Sequence, residues 1–142
     1  MIRILIADDH DIIRRGLTHM INEKDDMSVI ANAKNGEEAV IKALNLQPDI
    51  VIMDIHMPRK DGLQATKEIL RRNSSIKVII LTSDDRKDTS FRSLEAGALG
   101  FLLKSNTESD LIDAIRTVYR GSAYLKPDVT KQLLDNYVLN SK

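Results

Sequence analysis

The chain has 142 residues, 42% of them hydrophobic, with no cysteine and with 21 Lys+Arg against 21 Asp+Glu. That suits one domain with one core, and it excludes a disulfide framework or a thiolate metal site. No apolar run approaches the roughly eighteen residues of a spanning helix, the first strand leaves no room for a signal peptide, and zero net charge gives no electrostatic case for nucleic-acid binding, so the expectation is a soluble cytoplasmic domain.

Ile2 to Ala7 reads as a strand, followed at once by Asp8-Asp9-His10-Asp11. A helix from about Ile12 to Asn22 puts Ile13, Leu17, Met20 and Ile21 on one face. Met27 to Ala33 is a second, short strand. Asn35-Gly36-Glu37-Glu38 opens a second helix with acids in its first turn, where the dipole favours them, and it ends before Pro48. Ile50-Val51-Ile52-Met53 is continuous rather than alternating, so it reads as a strand buried on both faces. Asp54 is expected to be the first residue that strand cannot bury. Pro58 and Asp61-Gly62 mark a loop before a third helix, which turns Leu63, Thr66, Ile69 and Leu70 to the core. Arg71-Arg72 reads as its solvated end.

Lys77 to Leu81 is the fourth strand, ending on Thr82-Ser83-Asp84-Asp85, and the mixed charges from Asp84 to Asp88 read as a mobile loop. A polar fourth helix runs from about Asp88 to Ala96 and stops at Gly97. Gly100 to Leu103 is the fifth strand, ending on Lys104. Ser105-Asn106-Thr107 caps a fifth helix, with Thr107 and Asp110 spaced as a capping box. Its stripe is Leu111, Ile112, Ile115, Val118 and Tyr119, and Gly121 stops it. Beyond it, Lys126-Pro127-Asp128 starts a short helix to about Asn140, with Val129, Leu133 and Tyr137 spaced by four. The expected division is a domain over 1–121 and a linker over 122–142.

Five strand–helix repeats predict an α/β fold with a parallel sheet wound on both faces through right-handed crossovers. In the flavodoxin-like (βα)5 order 2-1-3-4-5, ligands bind outside the carboxyl ends of the strands where the order reverses, between strands one and three. That order brings Asp9 and Asp54 face to face, with Asp8 beside them, Thr82 after strand four and Lys104 after strand five. Three carboxylates brought together must hold protons or a cation. Oxygen ligation without cysteine suits a hard divalent ion, and magnesium fits best because it takes one or two carboxylates and keeps several waters. A lysine and a hydroxyl opposite such an ion complete a clamp for a phosphoryl group, and an aspartate in that clamp can be the nucleophile.

Asp8-Asp9, Asp54 with Met57-Pro58 and Asp61-Gly62, Thr82-Ser83 and Lys104 resemble, in that order, the receiver domain of two-component response regulators. The resemblance covers residues 1 to about 121. Ala7-Asp8-Asp9-His10, Leu81-Thr82-Ser83 and Gly100-Phe101-Leu102-Leu103-Lys104 look most like regulators whose receiver precedes a LuxR-type helix-turn-helix domain. The resemblance implies that Asp54 accepts a phosphoryl group from a sensor histidine kinase. It implies that Asp9, Asp54 and the main-chain carbonyl of His56 hold magnesium, with Asp8 acting through a water. Lys104 would pair with the phosphate, Thr82 would move to it, and Phe101 would be the aromatic switch that turns inward. Many relatives carry tyrosine there, and phenylalanine has no hydroxyl to carry a signal.

Such a domain is no enzyme beyond catalysing its own phosphorylation and dephosphorylation. It would dimerise on phosphorylation, through the first and fifth helices (Ile112, Ile115 and Tyr119 among them) or through the fourth helix–fifth strand–fifth helix face. DNA would be reached only through an output domain, and no membrane is involved. His10 and His56 are expected to keep their imidazoles off a magnesium ion. His56 and Asp84, two positions after the acceptor and the threonine, would tune dephosphorylation through water access. A rival reading is a hydrolase of the haloacid dehalogenase type, which also works through an aspartyl-phosphate. That class typically has a second aspartate where this chain has His56, and a cap domain. A nucleotide-binding protein is disfavoured, because no glycine-rich phosphate loop follows any strand. A stand-alone receiver acting through protein contacts remains a further alternative.

Overall fold

The computed structural model describes residues 1–126, 129–131 and 134–135. The elements are β1 (Ile2–Ala7), α1 (Asp11–Asn22), β2 (Met27–Ala33), α2 (Gly36–Leu46), β3 (Ile50–Met53), α3 (Gly62–Arg72), β4 (Lys77–Thr82), α4 (Thr89–Glu95), β5 (Gly100–Leu103) and α5 (Glu108–Tyr119). The strands form one parallel sheet in the order β2-β1-β3-β4-β5, the expected flavodoxin-like arrangement. Two ends differ slightly from expectation: Thr82 closes β4 inside the ladder, and α4 is shorter than its sequence pattern suggests.

The central strands alternate between two cores, which is why Ile50–Met53 of β3 and Val78–Leu81 of β4 are apolar without a break. Leu5, Ala7, Val51, Met53, Val78 and Ile80 pack against residues of α2 and α3. Ile4, Ile6, Ile50, Ile52, Ile79 and Leu81 face Ile21 of α1 and Leu111, Ile115 and Val118 of α5. Cutting one of these isoleucines or leucines, or Met53, to alanine is a change of about 2–5 kcal/mol. Leu70, expected in the core, is only partly buried.

Ile112 and Ile115, expected to be available to a partner, are buried against the sheet, while Tyr119 at the end of α5 stays 42% exposed. The α5 stripe is wide enough to cover β4 and β5, so its isoleucines are spent on this core.

Among the described residues, side chains cap three helices. Asn35 accepts from the Glu38 N–H and Asp61 from the Gln64 N–H. Thr107 and Asp110 form the predicted capping box. Each cap contributes about 1 kcal/mol.

The segment after α5 returns to the sheet. Tyr124 forms a parallel bridge with Gly100, its N–H donating to the Leu99 carbonyl at 2.9 Å and its carbonyl accepting from the Phe101 N–H at 3.2 Å. Leu125 and Val129 pack against the core that holds Phe101. Residues 129–131 and 134–135 are helical; Pro127, Asp128, Leu133 and Tyr137 lie outside the described residues. Among the described residues, no helix is long and apolar enough to cross a membrane.

Candidate functional site

Three neighbouring strand ends meet at one edge of the sheet. β1 delivers Asp8 and Asp9, β3 delivers Asp54, and β4 ends on Thr82. The Asp54 N–H donates to the Ala7 carbonyl at 2.9 Å, and the Lys104 N–H to the Thr82 carbonyl at 2.9 Å, so the ladder itself sets the spacing of the acids and the lysine. One ligand atom each from Asp8, Asp9, His10 and Asp54 lies within 4.8 Å of all the others.

Asp54 and Asp8 are buried, with 4% and 3% exposure. This corrects the expectation that the chain could not bury Asp54. A buried carboxylate is tolerated when hydrogen bonds and an opposite charge replace water. Asp54 Oδ1 accepts from the Ile55 N–H at 2.8 Å, and Oδ2 accepts from Lys104 Nζ at 3.0 Å. Asp8 Oδ1 accepts from the His10 N–H at 2.9 Å, and Oδ2 lies 2.7 Å from Lys104 Nζ. Burial pulls the Lys104 pKa down, but the Asp8 and Asp54 carboxylates outweigh it and hold the pKa above the usual lysine value. The side chain is therefore a fixed ammonium.

Three carboxylates and one ammonium leave two negative charges over. The donor set is oxygen from three acids at one mouth, with Asp9 the most exposed of them. That chemistry fits a hard divalent cation, magnesium above all.

Thr82 is fully buried, and its Oγ1 accepts from the Asp84 N–H at 3.2 Å. Phe101 already points into the core, 4% exposed, on the sheet face that α2 and α3 cover. It sits on β5 beside Ile80, three residues before Lys104. His56 lies two residues beyond Asp54, exposed, with Nε2 2.7 Å from Asp84 Oδ2.

Within the stretch from Asp84 to Asp88, Asp84 gathers several hydrogen bonds. Its carboxylate accepts from Arg86 Nε at 3.0 Å, Arg86 Nη2 at 2.7 Å and Thr89 Oγ1 at 3.0 Å. The Arg86 guanidinium keeps the Asp84 carboxyl well below the usual range.

Two supporting residues carried no signal of their own. Arg14 Nη1 donates to the Asp8 carbonyl at 2.6 Å, and Asn106 Oδ1 accepts from the Leu103 N–H at 2.8 Å. An arginine one turn into a helix and an asparagine before one look ordinary. Their role appears only when the strand ends are assembled.

The chain matches the response regulator receiver domain over residues 4–116. It belongs to that family, and is a receiver domain of a two-component response regulator. Among curated relatives it is 40% identical over 134 residues to the response regulator GacA of Pseudomonas protegens, covering 94% of this chain and 63% of that protein. It is 41% identical over 140 residues to the oxygen regulatory protein NreC of Staphylococcus carnosus, covering 98% of this chain and 64% of that protein. The chain thus spans less than two thirds of their length. Among solved structures it resembles a LuxR-family two-component response regulator from Aurantimonas, with a TM-score of 0.88 and 30% identity over 96% of this chain and 97% of that one. The response regulator domain of Thermotoga maritima CheB gives a TM-score of 0.79 and 31% identity, over 89% of this chain and 99% of that one. Receiver domains are signalling proteins rather than enzymes with external substrates. They generally bind magnesium in an acidic pocket, and response regulators receive phosphoryl groups from sensor histidine kinases.

Proposed function

We propose that this domain switches a transcription regulator by taking a phosphoryl group from a sensor histidine kinase onto Asp54. The observation that carries the reading is the shared ammonium: Lys104 is held between Asp54 and Asp8 inside one carboxylate cluster. The Asp54 carboxylate attacks the phosphorus of a phosphohistidine; the new O–P bond forms as the N–P bond breaks and the imidazole leaves. Lys104 is then free to turn from a carboxylate oxygen to a phosphoryl oxygen, so its charge stays paired throughout. Asp9, Asp54 and the His56 carbonyl would hold magnesium, with Asp8 acting through a water. The ion would supply positive charge against the phosphoryl oxygens.

Thr82 gives the switch. Its oxygen receives the Asp84 N–H, so its hydroxyl proton can be offered to the phosphoryl group. Phosphorylation adds acceptor oxygens and up to about two negative charges, which favours the arrangement in which Thr82 and Lys104 both reach them. Phe101, buried beside that path, would hold the inward position. Residues 1–121 would form the receiver and 122–142 lead to a LuxR-type DNA-binding domain, with phosphorylation favouring a homodimer in the cytoplasm. The domain would catalyse only its own phosphorylation and dephosphorylation. The hydrolase reading is weaker, because the position that should carry a second acid is His56, whose ring is paired with Asp84.

Intact mass after incubation with acetyl phosphate, with and without magnesium, tests this for the chain and for Asp54→Asn. A magnesium-dependent gain of one phosphoryl group, absent in Asp54→Asn, is expected. An adduct that persists in Asp54→Asn would move the acceptor elsewhere. Sustained turnover of other phosphate esters would restore the hydrolase.

A further inference from the structure

We propose that the open edge of β5 is a regulated docking surface for the chain's own segment 122–126, and that this segment docks more tightly when Asp54 carries a phosphoryl group. The inference rests on reading Asp54 as the acceptor and Phe101 as the residue that turns inward with it.

β5 has four residues and pairs with β4 on one side only. On the other side the segment after α5 takes up its backbone groups. The Tyr124 N–H donates to the Leu99 carbonyl at 2.9 Å, and the Tyr124 carbonyl accepts from the Phe101 N–H at 3.2 Å. The bridge between Gly100 and Tyr124 is parallel, so the next positions in register are Phe101 and Leu125. Side chains alternate there as they do along a strand. Tyr124 packs against the core beneath α1 and α5, and Leu125 against the core that holds Phe101. Val129, four residues on, packs against that same core. Leu125 and Val129 therefore add apolar surface to the space that receives the inward ring, where Phe101 is 4% exposed.

The same strand reaches the acceptor. Phe101 stands three residues before Lys104, whose ammonium is 3.0 Å from Asp54 Oδ2 and whose N–H donates to the Thr82 carbonyl at 2.9 Å. One short stretch of backbone thus carries both the group that holds the segment and the side chain that meets the phosphoryl group. Lys126 Nζ, 2.9 Å from Asp110 Oδ1, ties the far end of the segment to the start of α5. Two backbone hydrogen bonds and two partly buried apolar side chains are a small attachment, so the segment opens locally while the central sheet stays closed. A phosphoryl group and a docked segment both favour the setting of β5 in which Phe101 lies inward. Two ligands that prefer one state strengthen each other, by the same factor in either direction.

The test follows amide hydrogen exchange by NMR in the chain with Mg2+, before and after adding beryllofluoride, which stands in for a phosphoryl group on a carboxylate. Exchange at Tyr124 and Phe101 should slow by about fivefold or more relative to Val29 on the opposite edge strand β2, the lower end of ordinary coupling. The reverse direction is read as beryllofluoride affinity. Leu125→Ala removes the apolar contact, and Tyr124→Pro removes the N–H that meets Leu99, so each should weaken binding by up to the same factor. Leu134→Ala, at an exposed position beyond the segment, should leave the affinity unchanged. Exchange at Tyr124 that stays the same or speeds up, equal slowing at Val29, or both segment variants binding as tightly as the chain would overturn the proposal. Beryllofluoride bound in an Asp54-dependent way with no change at Tyr124 leaves the acceptor standing and removes the coupling. No binding by the chain, with or without Asp54→Asn, overturns both.

Discussion

Lys104 Nζ lies 3.0 Å from Asp54 Oδ2 and within 2.7 Å of Asp8 Oδ2, so one ammonium serves two buried carboxylates. Replacing it by the apolar Lys104→Met leaves three acids facing one another. Breaking a buried pair costs about 3–5 kcal/mol, and partial solvent access to the ammonium reduces this to about 2–3 kcal/mol. Thermal unfolding without divalent ions should show that loss. Millimolar magnesium should narrow the gap to the unaltered chain, because the cation replaces the missing charge and stabilises by mass action. A gap of the same size with and without magnesium would mean that the acids do not share a cation.

Gly62 stands against the carbonyl of the residue proposed as acceptor. A Cβ at Gly62 would sit 1.9 Å from the Asp54 oxygen and 2.8 Å from its carbonyl carbon. Gly62→Ala therefore forces the β3–α3 loop outward, at about 1–3 kcal/mol for overpacking, and should slow phosphorylation by acetyl phosphate. Gly16→Ala is the control, since a Cβ there meets nothing within 4 Å. It lies within α1 and should raise stability by about 0.5–1 kcal/mol. Equal phosphorylation rates in the two variants would separate Gly62 from the site.

Much of this was legible in the sequence because β3 is a short run, apolar on both faces and closed by an acid, and β1 is closed by two. Ile50 to Met53 leads straight into Asp54, and the repeat implies a parallel sheet, but the order β2-β1-β3-β4-β5 is set by pairings that no strand's own sequence carries. The burial of Asp54 was not legible, because its compensation comes from Lys104, fifty positions away. Ile112 and Ile115 looked available for the same reason: a stripe shows which residues are apolar, not how wide a surface they cover. The return of Tyr124 to β5 was invisible too, since one bridge leaves no periodicity.

Asp110 does two jobs at the start of α5. One oxygen accepts from the Thr107 N–H at 3.2 Å, and the other lies 2.9 Å from Lys126 Nζ. The Lys126 ammonium and the cap together hold its carboxyl below the usual range. Asp110→Asn should keep most of the cap but weaken the attachment of the segment beyond α5. Asp110→Ala should lose both and destabilise the chain more than Asp110→Asn does. In both variants, hydrogen exchange at the Tyr124 amide should speed up relative to that at Ile79. If Tyr124 exchanges at the same rate, the bridge to β5 holds the segment without Asp110.

Asp84 joins the loop after Thr82 to His56 on one side and to Thr89 of α4 on the other. Arg86 depresses its pKa, with His56 and Thr89 adding to the effect. A depressed carboxylate contributes its full stabilisation above its unfolded value, about 3.9, and loses it as pH falls toward the folded value. The stability gap between the chain and Asp84→Asn should therefore be largest and flat at pH 6 and above, and should shrink below about pH 4. Chemical denaturation at several pH values measures it, and a gap that widens in acid would contradict the sign. Alanine at both Asp84 and His56 removes their side-chain pair beside Asp54 but keeps the Asp84 N–H that donates to Thr82 Oγ1. The lifetime of the acyl phosphate should shorten in the double alanine variant. An unchanged lifetime would show that the pair braces the loop without controlling access to the phosphoryl group.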